Sequence, residues 1–230
     1  MGFSLLNLGN RHFTATWLVC CALGLSAAAS SAWAQAAKPA KAAAPNPVIL
    51  VLGDSLSAEY GLKRGTGWVA LLEKKLETEK IKATVVNASI SGDTTSGGRS
   101  RLPALLARHK PTHVVIELGG NDALRGLPLT MTADNLAFMT DAAQKAQAKV
   151  LLVGMQLPPN YGADYSRQFA STFDKTAAAK KTGLVPFFLK DIADGADPLK
   201  LFQSDRIHPK EEAQPIMLTN LWPELKKLLK

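Results

Sequence analysis

From residue 47 onward the apolar positions alternate between two rhythms. Residues 48–52 (VILVL) form an unbroken apolar run that stops at Gly53. A run this short, bounded by turn residues, fits a strand buried on both faces. Trp68, Leu71, Leu72 and Leu76 then fall on one face of a helix over residues 68–80. The alternation continues with a strand at 83–86, a helix at 99–109 (Leu102, Leu105 and Leu106 together) and a strand at 113–118. A helix over 132–147 leads to a strand at 150–153, a helix over 165–182 leads to a strand at 184–189, and a last helix follows Pro209. Five continuous apolar strands separated by helices predict an α/β domain whose parallel sheet is covered on both faces. In such sheets ligands gather at the loops after the carboxyl ends of strands. That rule singles out residues 53–60, 87–98, 119–129, 156–161 and the segment before the last helix.

The first 47 residues follow another pattern. Residues 1–12 carry Arg11 and His12 and no acid, an apolar run extends from Trp17 to Leu25, and small residues end in Ala32-Trp33-Ala34. This is the layout of a secretory signal peptide over 1–34, cut after Ala34. The rival is a retained anchor, but the apolar run falls short of the roughly 20 residues of a membrane span. Cys20 and Cys21 are the only cysteines, so the mature chain would hold none. A disulfide framework, a cysteine nucleophile and a thiolate metal site are thereby excluded. Residues 35–47, rich in Ala, Pro and Lys, read as a flexible tether, leaving one domain over 48–230. The formal charge of +8 shrinks with this reading: without Arg11, Lys38 and Lys41 the 27 basic residues become 24, against 19 acidic ones. They are scattered, apart from Lys226, Lys227 and Lys230, with no interleaved aromatic residues. Nucleic acid is therefore not an expected partner, and transient contact with an anionic membrane surface is the most the charge supports.

Small and polar residues concentrate where the strands end. Ser55 follows the first strand, and its hydroxyl is a nucleophile only if a base removes the proton during attack. His208 is the candidate base. An Asp three residues earlier, Asp205, can reach the imidazole Nδ1–H in a turn and leave Nε2 free to accept. Pro209 suits the first position of the last helix. The plainer alternative makes Ser55 or Ser57 a helix N-cap, Asp205 another and His208 a surface residue. The oxyanion of acyl transfer also needs donors already in place. Candidates are the Ser55 N–H, the N–H of Gly92, where no side chain blocks approach, and the Asn121 side-chain amide. Asp54, Asp93 and Asp122 come from three loops with no His at ligand spacing, so no metal is expected. Glu117 is a carboxylate within an apolar strand and must be paired if buried. His109 and His113 read as structural.

Gly53-Asp-Ser-Leu-Ser57, Gly92, Gly119-Gly-Asn-Asp122 and Asp205-Arg-Ile-His208 together resemble the four blocks of the GDSL, or SGNH, hydrolase family. The stretches NASISGDTT, RLPALL, ELGGNDALRG, LPPNYG and IHP are similar to its periplasmic acyl-CoA thioesterase/lysophospholipase branch, also known as arylesterase. The resemblance runs from about residue 48 to 225. It implies a three-layer flavodoxin-like fold with strand order 2-1-3-4-5. It also implies Ser55 as nucleophile, Asp205 and His208 completing a triad, and the Ser55 N–H, Gly92 N–H and Asn121 amide as oxyanion hole. Glu59 and Arg206 depart from the small residues common at those positions, which bears on the head group that fits nearby.

Leu124, Leu157, Pro158, Tyr161 and Ile207 lie on the same loops and suit an acyl chain or aromatic ring better than a sugar. The expected substrates are aryl and alkyl esters, fatty-acyl thioesters and lysophospholipids, with a carbohydrate acetylesterase as the alternative. A nucleotide or flavin cofactor is not expected, since neither G-x-G-x-x-G after the first strand nor G-x-x-x-x-G-K-[ST] occurs. The absence of G-x-S-x-G argues against an ordinary α/β-hydrolase. The expectation is a periplasmic, monomeric enzyme acting on a small-molecule ester without cofactor.

Overall fold

The computed structural model describes residues 46–197 and 199–230; the expected signal peptide (1–34) and nearly all of the tether (35–47) lie outside the described residues. The elements are β1 (Val48–Gly53), α1 (Trp68–Thr78), β2 (Thr84–Asn87), α2 (Thr95–His109), β3 (His113–Glu117), α3 (Gly120–Leu124), α4 (Leu129–Lys145), β4 (Lys149–Val153), α5 (Ala163–Lys180), β5 (Gly183–Val185) and α6 (Gln214–Leu229). The sheet runs β2-β1-β3-β4-β5 with every pairing parallel, the order the resemblance implies. Right-handed crossovers turn one way from β1 to β2 and the other way from β3 onward. Helices therefore cover both faces: α1 packs with α6, and α2, α4 and α5 pack side by side. The winding reverses between β1 and β3, where doubly wound sheets open a crevice at the strand ends.

These two central strands are the most deeply buried. Ile49, Leu50, Val51 and Leu52 of β1 and Val114, Val115 and Ile116 of β3 are inaccessible to solvent. Each such side chain contributes about 1.5–3 kcal/mol on burial. The two strand ends that carry the candidate site thus rest on the most deeply buried part of the core. Among the described residues no helix is long and apolar enough to cross a membrane.

The structure adds α3 and an earlier start of α4 at Leu129 to the periodicity reading, and it departs from that reading most at three ends. Helix α2 begins at Thr95, a turn before the expected residue 99. Thr94 caps it by accepting from the Gly97 N–H, and the buried Asp122 carboxylate accepts the Thr95 N–H at 2.8 Å. Gly97 and Gly98 hide this turn from a propensity reading. Yet Gly98 suits the packing: a Cβ there would stand 2.3 Å from Leu118 Cδ1, and the buried leucine would have to shift. Strand β5 stops at Val185 rather than 189, because Pro186 has no N–H to donate to the ladder. Phe188 and Leu189 are apolar because they fill the core beyond the strand. Pro209 does not open the last helix; it bridges to Phe202, and the proline in the first turn of α6 is Pro215.

Candidate active site

The turn after β1 shows why the Ser55 hydroxyl is free. The carbonyl of Asp54 accepts the N–H groups of Ser57 and Ala58 at 3.2 and 2.9 Å, and its carboxylate Oδ1 accepts the Leu56 N–H at 3.0 Å. Asp54 thus caps the turn, neither Ser55 nor Ser57 caps a helix, and α1 begins only at Trp68. Ser55 Oγ lies 2.9 Å from His208 Nε2, across 153 residues of sequence. On the other side of the ring, Nδ1 lies 2.7 Å from Asp205 Oδ2.

The turn holding this pair is closed by its own backbone. Gln203 N–H donates to the His208 carbonyl at 2.8 Å, and Asp205 Oδ1 accepts the N–H groups of Ile207 and His208 at 2.9 and 3.0 Å. Desolvation pushes the Asp205 pKa up, but these two N–H groups and the His208 ring prevail and hold it at about 2. An ionised Asp205 assigns the Nδ1 proton and leaves Nε2 to accept from Ser55. Gln203 Nε2 also donates to the Tyr60 carbonyl at 3.0 Å, tying the loop after β1 to the histidine turn. The Tyr60 ring, half exposed, packs against the His208 ring with centroids 4.3 Å apart and planes tilted by 39°.

The loop after β2 is stitched to both neighbours. Arg101 of α2 pairs with Asp93 at 2.8 Å and donates to the carbonyls of Ala88 and Gly53. Arg125 donates to the Gly92 carbonyl at 2.8 Å. Gly92 adopts φ +78°, and a Cβ there would meet only ordinary contact, Arg125 Nη2 at 3.7 Å. Glycine suits position 92 for its left-handed backbone, which an L side chain adopts only with strain. The Ser55 and Gly92 N–H groups donate to no acceptor among the described residues. Asn121, at the start of α3, gives one of its two Nδ2 hydrogens to Asp54 Oδ2 at 2.9 Å. Three unspent N–H donors therefore sit just beyond the ends of β1, β2 and β3.

Behind them lie two buried carboxylates. Glu117 Oε2 accepts the Ser57 hydroxyl at 2.7 Å and the Asp54 N–H at 3.4 Å, and Trp68 Nε1–H donates to Ser57 Oγ at 3.2 Å. This is the pairing that burial at 117 demanded. Desolvation and the neighbouring Asp54 charge push the Glu117 pKa far up. Desolvation also lifts Asp54 to about 6, against the pull of the Leu56 and Asn121 hydrogen bonds and His208. Of the other carboxylates weighed as metal ligands, Asp93 is spent on Arg101 and Asp122 on Thr95.

The two departures from the family pattern share a physical feature. Glu59 and Arg206 have φ of 59° and 60°, where a residue without a side chain is least strained. The Glu59 carboxylate accepts from the N–H groups of Gly65 and Gly67 at 3.0 and 2.9 Å, so it closes the 59–67 loop. Of the candidate contact residues, Leu124, Pro158 and Ile207 are exposed, Tyr161 is half-buried, and Leu157 packs against the core. Tyr60 and Ile90 escaped the sequence reading. Of six exposed large hydrophobic side chains among the described residues, four (Tyr60, Ile90, Leu124 and Ile207) lie on the segments that carry the candidate site. Arg101 and Arg125 were missed too; nothing in a lone arginine tells which carbonyl it will reach.

Residues 51–215 match the model of the GDSL-like lipase/acylhydrolase family. Esterase TesA of Pseudomonas aeruginosa is 54% identical over 181 residues, covering 79% of this chain and 89% of that protein. Thioesterase 1/protease 1/lysophospholipase L1 of Escherichia coli (strain K12) is 41% identical over 187 residues, covering 81% of this chain and 87% of that one. The crystal structure of the psychrotrophic esterase EstA from Pseudoalteromonas sp., inhibited by monoethylphosphonate, shares 43% identity at a TM-score of 0.74, over 80% of this chain and 99% of EstA. With such a match across most of its length, the chain belongs to the GDSL-like lipase/acylhydrolase family and is a hydrolase of ester or thioester bonds.

Proposed function

We propose that the chain is a serine esterase and thioesterase of the periplasm, exported by residues 1–34 and carried as one domain over 48–230 behind the 35–47 tether. Its substrates in this reading are aryl and alkyl esters, fatty-acyl thioesters and lysophospholipids. The observation that carries it is the continuous line from Asp205 Oδ2 through the His208 ring to Ser55 Oγ, at 2.7 and 2.9 Å. Ser55 attacks the acyl carbonyl as its proton passes to Nε2, and Asp205 stabilises the imidazolium. The oxyanion takes up the N–H groups of Ser55, Gly92 and Asn121. Nε2 then protonates the departing alcohol or thiol, and water repeats the sequence on the acyl-enzyme. No cofactor or metal enters these steps. The exposed apolar side chains of Tyr60, Ile90, Leu124 and Ile207 favour an acyl or aryl group over a sugar.

Turnover of a chain-length series of acyl-CoA thioesters and p-nitrophenyl esters tests this reading. Rates rising beyond acetyl support it; a strict acetyl preference favours the carbohydrate acetylesterase. Tyr60 adds a finer expectation. A leaving group protonated by Nε2 must pass beside the ring that covers His208. Tyr60→Ala is expected to lower kcat/KM about 3- to 10-fold more for aryl than for alkyl esters, the range of one aromatic contact. Equal losses on p-nitrophenyl and ethyl butyrate would discard that contact.

A further inference from the structure

We propose that Asp54 is a positioning residue whose carboxylate locks the Asn121 amide with an N–H, not its carbonyl, turned to the oxyanion. The inference rests on the reading of Asn121 as an oxyanion donor and names what makes it one. A side-chain amide has two faces related by a half-turn, and one would present carbonyl lone pairs to a developing negative charge. Asp54 Oδ2, 2.9 Å from Asn121 Nδ2, forbids that flip, because the amide oxygen would then face a carboxylate oxygen. With one hydrogen held there, the planar amide fixes the direction of the other.

Asp54 is itself held still. It is buried, its Oδ1 accepts the Leu56 N–H at 3.0 Å, and its own N–H donates to Glu117 at 3.4 Å. Glu117 is in turn bound by the Ser57 hydroxyl, which accepts from Trp68 Nε1. Both oxygens of Asp54 thus face donors, and a carboxylate alone supplies an acceptor at each. An asparagine at 54 must set its NH2 against either the Leu56 N–H or the Asn121 amide. The fold retains the acid although burial lifts its pKa to about 6, a cost that an amide would avoid.

A double-mutant cycle tests this, with kcat, KM and melting temperature measured on p-nitrophenyl butyrate for the wild type, Asp54→Asn, Asn121→Ala and the double variant. Removing one oxyanion donor typically costs about 10²–10³ in kcat, and misorienting it is expected to cost about 10- to 100-fold with KM nearly unchanged. In the Asn121→Ala background, Asp54→Asn is expected to slow kcat less than about twofold, since residues acting through one another are not additive. The same slowing in both backgrounds overturns the inference. Asn121→Ala with wild-type turnover overturns the oxyanion reading itself, and this inference with it. If Asp54→Asn fails to fold, Asp54→Ser, which brings no amide donor, supplies the same comparison.

Discussion

Replacing Ser55 by alanine is expected to lower kcat for p-nitrophenyl butyrate by about 10⁴–10⁶, as removal of a triad serine does elsewhere. The expectation is so large because the hydroxyl oxygen is the atom that forms the acyl bond, and among the described residues no other side chain hydrogen-bonds to His208 Nε2. The fold should scarcely register the change. Among the described residues Ser55 Oγ makes one side-chain hydrogen bond, to His208, and a loss of about 0.5–1.5 kcal/mol lowers the melting temperature by no more than about 6 °C in a domain of this size. A fluorophosphonate supplies the independent check. Ser55 Oγ would form a phosphorus–oxygen bond with expulsion of fluoride, and mass spectrometry should find one adduct, on the peptide carrying residue 55. An adduct on another serine, or wild-type turnover by Ser55→Ala, refutes the nucleophile.

Asp205→Asn is expected to lower kcat by about 10⁴ with the backbone unmoved, the scale seen when a triad aspartate is amidated elsewhere. Asp205 divides its two oxygens: Oδ1 accepts the Ile207 and His208 N–H groups, and Oδ2 accepts from the imidazole Nδ1. An asparagine keeps the first role with its carbonyl and presents NH2 to Nδ1. The ring must then carry its proton on Nε2, facing Ser55 with a donor where an acceptor is required. Turnover within tenfold of the wild type would show that His208 needs no orienting partner. The acid stability of the two proteins provides a second reading. The wild-type carboxylate has a folded-state pKa near 2, below its usual 3.8, so its stabilising effect is complete above about pH 4 and is lost as pH falls toward 2. In Asp205→Asn that particular loss between pH 4 and 2 should be missing.

Some of this could be read before any fold was known. Apolar runs such as residues 48–52 and 114–116 announce strands covered on both faces, because neither face can tolerate water. The Asp205-x-x-His208 spacing is legible because a single turn closes both contacts locally. Boundaries were less legible where a residue answers to packing. Gly98 looks like a helix breaker and is a helix residue pressed against Leu118. Phe188 looks like strand and is core beyond a proline.

By itself, then, the sequence determined the α/β alternation, the strands with buried faces and the loops where chemistry would collect, since these follow from periodicity and from contacts a few residues apart. The meeting of Ser55 with His208 across 153 residues depends on where two strand ends and a distant turn come to rest. The same holds for Glu117 finding Ser57, for Arg101 reaching Gly53 and Ala88, and for the Asn121 amide turned by Asp54. Hydrogen bonds are directional and short, so their partners are decided by placement to within about half an ångström. That placement exists only when the whole sheet has assembled.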